Sequence, residues 1–193
     1  MKKSITPPSA PATSKPSVPP TYVRCGVPFG ASVPLGHTIL GKTIDGATVI
    51  DRHNSHLHSE VVPVLAEALS HVFTRNQVFI EVEIDFKRVI GSSICVETDS
   101  NDRIVYAQRP NRKGHSRFVL DRKAEPSSKV MVVLKKSSNV SEYLLITAFI
   151  GGKAEVEPWD QRATKNSCLF WQNHALVLDD SILPGTLTDQ CPW

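Results

Sequence analysis

Between residues 78 and 86 the chain alternates: Val78, Ile80, Val82, Ile84 and Phe86 interleave with Phe79, Glu81, Glu83 and Asp85. A period of two puts successive side chains on opposite faces, so the segment predicts a half-buried strand. The stretch before it has the other period. In SEVVPVLAEALSHVF, residues 59–73, Val61, Leu65, Ala68, Leu69, Val72 and Phe73 fall on one helical face. Ser59 can cap that helix, and Pro63 sits where a first turn tolerates proline. GSSICVET, RIVYAQR and SRFVLDR then read as shorter strands. KVMVVLKK and EYLLITAFIGG are joined by the turn-like SSNVS and predict an antiparallel hairpin. Their apolar runs are nearly continuous, which predicts central strands covered on both faces.

A helix followed by a run of strands predicts an α+β domain, the N-terminal helix packed on an antiparallel β-sheet of about four to six strands. After Gly152 comes a polar loop, KAEVEPWDQRATKNS. SCLFWQNHALVL then predicts a short helix running into a strand. Residues 1–24 contain Pro7, Pro8, Pro11, Pro16, Pro19 and Pro20 among small polar residues and predict a disordered arm. The organisation expected is therefore this arm, one domain over 25–183, and a loose C-terminal tail over 184–193.

Composition leaves that picture in place. Of 193 residues, 40% are apolar and 21% charged, enough to bury a core. The start, MKKSITPPSAP, has no apolar core of a signal peptide, and no stretch approaches the about 18 apolar residues of a membrane span. Cys25, Cys95, Cys168 and Cys191 show no CxxC spacing. A cytoplasmic protein with free thiols is the expectation, delivery into another cell by a specialised system being the variant that leaves no mark.

The candidate chemistry is sparse. GxGxxG, GxxxxGK[ST] and GxSxG are absent, which counts against common nucleotide folds and serine hydrolases. HNSHLHSE brings His53, His56 and His58 close together, but no carboxylate or cysteine completes a familiar zinc or copper set. A polar loop leading into the helix explains them, and no metal site is assigned. Charge says more. From Arg103 to Lys136 ten cations face only Asp121 and Glu125, a net of +8 in a chain whose formal charge is +3. Such a surface attracts polyanions by counterion release, although cations also protect a sheet edge from pairing. At the other end, Trp159, Phe170, Trp171, Asn173 and His174 gather aromatic faces around one imidazole.

Three strings together, DRIVYAQRPNRKGHSRFV, EYLLITAFIGGKAEVEPWD and SCLFWQNHALV, resemble the barnase/EndoU/colicin/RelE-like nucleases, in particular the branch associated with phages and polymorphic toxins. The resemblance runs from about Ser59 to Val177. It implies RNA cleavage without metal or cofactor, with the RNA 2′-hydroxyl as nucleophile. The protein then has to move two protons and stabilise charge on phosphorus. Under that resemblance His174 is the first proton-transfer group, with His115 the alternative. Thr147 supplies a hydroxyl to the cleft. Arg112, Lys113 and Arg117 bind phosphate, and Trp171 offers a stacking face to a base. Glu81, Glu83 and Glu97 are candidate bases without a motif. The implied partners are RNA, tRNA included, and a cognate inhibitor or immunity protein. The competing reading is a non-catalytic RNA- or protein-binding module of the same fold.

Overall fold

The computed structural model describes residues 32–34, 38–51, 56–58, 60–139, 141–179 and 182–193. The proline-rich arm and His53 lie outside them. Among the described residues the first elements are β1 (Ser32–Pro34), β2 (Thr38–Lys42), β3 (Thr48–Asp51), β4 (His56–His58) and helix α1 (Val62–Ser70). Next come β5 (Phe79–Asp85), β6 (Gly91–Ser93), β7 (Cys95–Glu97), β8 (Ile104–Gln108) and β9 (His115–Val119). The last are β10 (Glu125–Ser127), β11 (Lys129–Lys136), β12 (Glu142–Ile150), helix α2 (Lys165–Asn173) and β13 (His174–Val177).

The expected α+β class, one helix on one antiparallel sheet, is overturned. Among the described residues strand far outweighs helix: thirteen strands stand beside two nine-residue helices. Two sheets dominate: β2-β3-β12-β11-β5 and β7-β13-β9-β8, beside the ribbons β1-β4 and β10-β6. Neither large sheet is purely antiparallel, because β12 runs parallel to β3 and β13 parallel to β9. Alternation shows that a strand has one buried face. It does not show which strand lies beside it or how many layers cover it. β6, β7 and β10 have three residues each, too short for any period to show.

Two cores hold the layers together. On one face of the five-stranded sheet, Val130, Val132 and Leu134 of β11 with Tyr143, Leu145 and Ala148 of β12 pack against Leu65, Ala68 and Leu69 of α1. On the other face, Met131, Val133 and Phe149 meet Val105, Ala107, Phe118 and Leu176 of the four-stranded sheet, with Trp171 of α2. A strand sandwiched this way has apolar neighbours on both sides, which is why KVMVVLKK reads as an unbroken run. β11 and β12 pair antiparallel, and a register shift between Val133 and Leu134 leaves Thr147 opposite Val133. His56 and His58 lie on β4, paired with β1, rather than in a loop.

The C-terminal segment is docked, not loose. Tyr106 N–H donates to the Thr188 carbonyl at 2.7 Å, and Thr188 N–H returns a bond to Tyr106 at 2.8 Å. The Thr186 hydroxyl accepts from Gln108 N–H, and Trp193 meets the Tyr106 ring edge-on. β8 would otherwise end the four-stranded sheet with an open row of donors and acceptors, and the tail covers it. No helix among the described residues is long and apolar enough to cross a membrane.

Candidate active site

The site begins where α2 becomes a strand without a loop. Thr164 and Ser167 form a capping box at the start of α2, the Thr164 N–H donating to Ser167 Oγ at 3.0 Å. At its other end the chain turns extended at His174, with φ −132° and ψ 151°. The last helical carbonyls have no partners within the helix. Nearby side chains fold back onto carbonyls of the last turns: Asn173 Nδ2 donates to the Leu169 carbonyl at 3.1 Å, and His174 Nδ1 lies 3.0 Å from the Phe170 carbonyl. A carbonyl only accepts, so Nδ1 carries the hydrogen there and Nε2 is the ring's other nitrogen, free to act as acceptor. The ring also stacks on Phe170 at 4.0 Å between centroids and 6° between planes. Hydrogen bond and stacking together fix its orientation.

His174 lines a cavity of about 430 Å³ formed where the two sheets part. β5 and the start of β11 contribute Glu83 and Lys129, and the turn after β12 contributes Gly152 and Lys153. Cys95 and Glu97 of β7, Glu125 of β10 and Phe170 close it. Glu83 is paired with Lys129 at 2.7 Å and accepts the Lys153 N–H at 2.8 Å. Burial alone would raise its carboxyl; the Lys129 hydrogen bond, the Lys153 N–H and the Lys129 charge hold it below the ordinary value. Lys153 Nζ also meets Glu81 at 3.0 Å. Glu125 is paired with Arg122. Glu97 is the cavity carboxylate that stands across from His174.

Glu97 and His174 are partners in the antiparallel ladder of β7 and β13. Thr98 N–H donates to the Asn173 carbonyl at 2.8 Å, one residue beyond the pair on each strand. That makes Glu97–His174 a non-hydrogen-bonded pair, the type in which Cα atoms sit about 4.5 Å apart and side chains approach most closely. Both side chains point to the face of their sheet on which Cys95 and Leu176 join the core between the sheets.

The other expected site residues go elsewhere. His115 and Arg117 alternate with Ser116 and Phe118 on β9, which puts them on the face of the sheet away from that core. Arg117 reaches round to the His174 carbonyl at 2.8 Å and the Thr98 hydroxyl at 2.9 Å, but does not line the cavity. Thr147 is 1% exposed, shut between the sheets with Oγ1 unpartnered, so it presents no hydroxyl to the cavity. Trp171 is also 1% exposed and donates Nε1–H to the Glu155 carbonyl at 2.9 Å, so its ring offers no face to a base. Lys113 and Arg112 are exposed on the β8–β9 turn. Arg112 adds its charge to the Arg162 contacts that hold Asp160 at about 2, Arg162 hydrogen bonding first among them.

The basic stretch is largely bonded within the protein. Arg109 bridges Ser116 Oγ at 2.8 Å and Glu157 at 2.6 Å. Arg103 pairs with Asp121, and Arg122 with Asp102 and Glu125. Trp159 lies against Gly114, where any Cβ would overlap its ring. The strings RPNRKGHS and EPWD, with forty residues between them, are thus one packed unit.

No family model, curated protein or solved structure matches this chain.

The sequence points to His174 and offers Glu81, Glu83 and Glu97 without a motif to prefer one. It does not mark Lys129 and Lys153 as cavity cations. The signal for Glu97 was the short apolar run ICVE, but nothing in it indicates pairing with a strand 77 positions later.

Proposed function

We propose that this chain is an endoribonuclease that cleaves RNA by transesterification, with the cavity between the sheets as its reaction site. The observation that carries this reading is the Glu97–His174 pair. A carboxylate and an imidazole with Nδ1–H engaged and Nε2 available are what removing one proton and delivering another requires. In the order we favour, Glu97 takes the proton of the ribose 2′-hydroxyl as its oxygen attacks phosphorus. His174, protonated at Nε2, gives a proton to the departing 5′-oxygen. The bond from phosphorus to the 5′-oxygen breaks, leaving a 2′,3′-cyclic phosphate and a free 5′-hydroxyl. Lys129 and Lys153 supply positive charge for the phosphorane. The nucleophile belongs to the substrate, so the protein needs no serine or cysteine for it.

The test is incubation of the purified full chain with total RNA in EDTA, beside His174→Ala. Fragments ending in cyclic phosphate, absent with the variant, are the expected result. Intact RNA with salt-sensitive binding would replace the nuclease by a non-catalytic binding module, and intact RNA without binding would remove RNA altogether.

A further inference from the structure

A non-hydrogen-bonded pair turns both its carbonyls away from the partner strand. In the Glu97–His174 pair each of these outward carbonyls is taken by an arginine from the basic stretch. Arg117 Nη1 donates to the His174 carbonyl at 2.8 Å and to the Thr98 hydroxyl at 2.9 Å. Arg122 Nη1 donates to the Glu97 carbonyl at 2.8 Å and to Asp102 at 2.8 Å, while its other branch holds Glu125. The two cations thus grip the two strands of the pair from opposite sides. They stand eight and thirteen residues after Arg109, itself bonded to Glu157.

We propose that Arg117 and Arg122 are positioning residues, which hold the imidazole and the carboxylate in register by clamping the backbone carbonyls of His174 and Glu97. This rests on the ribonuclease reading for its consequence in rate, but the clamp itself has a readout that does not need substrate. Arg117 governs the junction at which α2 becomes β13. With that junction free to shift, the Nδ1–H bond to the Phe170 carbonyl loses its fixed geometry. Arg122 governs Glu97 and one wall of the cavity.

The experiment compares the full chain with Arg117→Met and Arg117→Lys. Methionine keeps much of the stem's bulk and removes every donor, whereas lysine keeps several donors at one point. Long-range ¹H–¹⁵N spectra of the histidines report which ring nitrogen of His174 carries hydrogen. The expected result is a dominant Nδ1–H form in the wild type, a mixture in Arg117→Met, and recovery of the wild-type pattern in Arg117→Lys. In cleavage assays kcat of Arg117→Met falls about tenfold to a hundredfold, the scale of a misplacement near 1 Å, with KM and its salt dependence unchanged. Arg122→Met lowers kcat likewise and leaves the His174 pattern alone.

An unchanged His174 spectrum in folded Arg117→Met overturns the clamp. So does a rise in KM with a shallower salt dependence, which is the behaviour of a residue touching phosphate directly. If Arg117→Met does not fold, Arg117→Lys decides: a mixed His174 spectrum in that folded variant, despite retained donors, overturns the proposal. A wild type that cuts no RNA but shows the predicted spectral changes would sink the ribonuclease reading and leave the clamp standing.

Discussion

Arg109 illustrates how position changes the meaning of a charge. In sequence it is one cation of a dense group; in the fold it is 15% exposed and bound to Glu157, which is 3% exposed. Removing one partner of a buried pair strands the other charge, so Arg109→Ala should lose roughly 3–5 kcal/mol of stability in a denaturant titration. A direct phosphate contact would instead leave stability alone and weaken RNA binding. Gly114 is a second such residue. Gly114→Ala should displace Trp159 and lower the melting temperature, read together with a shift in tryptophan fluorescence. Asp45 gives the pH dependence. Partial desolvation would raise its carboxyl, but hydrogen bonds from the Thr74 and Thr43 hydroxyls and from Thr74 N–H bring it down to about 2. A carboxyl depressed in the folded state stabilises above its unfolded pKa of about 4 and loses that contribution as pH falls toward 2. The stability difference between wild type and Asp45→Asn should therefore be constant above about pH 4 and shrink below it.

At the level of elements, the apolar runs identified the strands that matter most to the core. The hairpin of β11 and β12 carries residues of both cores, and Phe149, wholly buried, should cost roughly 3–5 kcal/mol on truncation to alanine. The short helix running into a strand near the C-terminus was also legible, because SCLFWQNHALV changes from a polar helical pattern to an apolar run at His174. What was not legible is who pairs with whom. β12 beside β3, β13 beside β9 and Glu97 across from His174 are contacts between distant segments, set by packing rather than by local period. For the same reason one sheet was expected where two are stacked. The tail, read as loose from its composition, is held by backbone bonds to an edge strand that composition cannot reveal. The candidate site divides in the same way: His174 was recognisable from its string, whereas Lys129 and Lys153 enter it only through sheet geometry.

For the whole molecule, the balance of charge is less one-sided than the sequence implies. Of the ten cations between Arg103 and Lys136, Arg103, Arg109, Arg122 and Lys129 are in ion pairs and Arg117 is bound to a carbonyl, while Lys113, Lys123 and Lys135 are exposed. Each phosphate contact on single-stranded nucleic acid adds about −0.7 to the slope of log affinity against log salt. The exposed lysines predict a slope of about −2 to −3, whereas ten engaged cations would give about −7. On the ribonuclease reading, recognition then comes from the cavity more than from a charged surface, and the cavity cuts RNA at the substrate's own 2′-hydroxyl. The most direct measurement uses a deoxyoligonucleotide containing a single ribonucleotide. Wild-type protein should cut it once, 3′ to the ribose, leaving a cyclic phosphate. Glu97→Gln and His174→Ala should each lower the rate by about a hundredfold to ten-thousandfold. Cleavage of an all-deoxy strand, or undiminished cutting by both variants, would contradict the account.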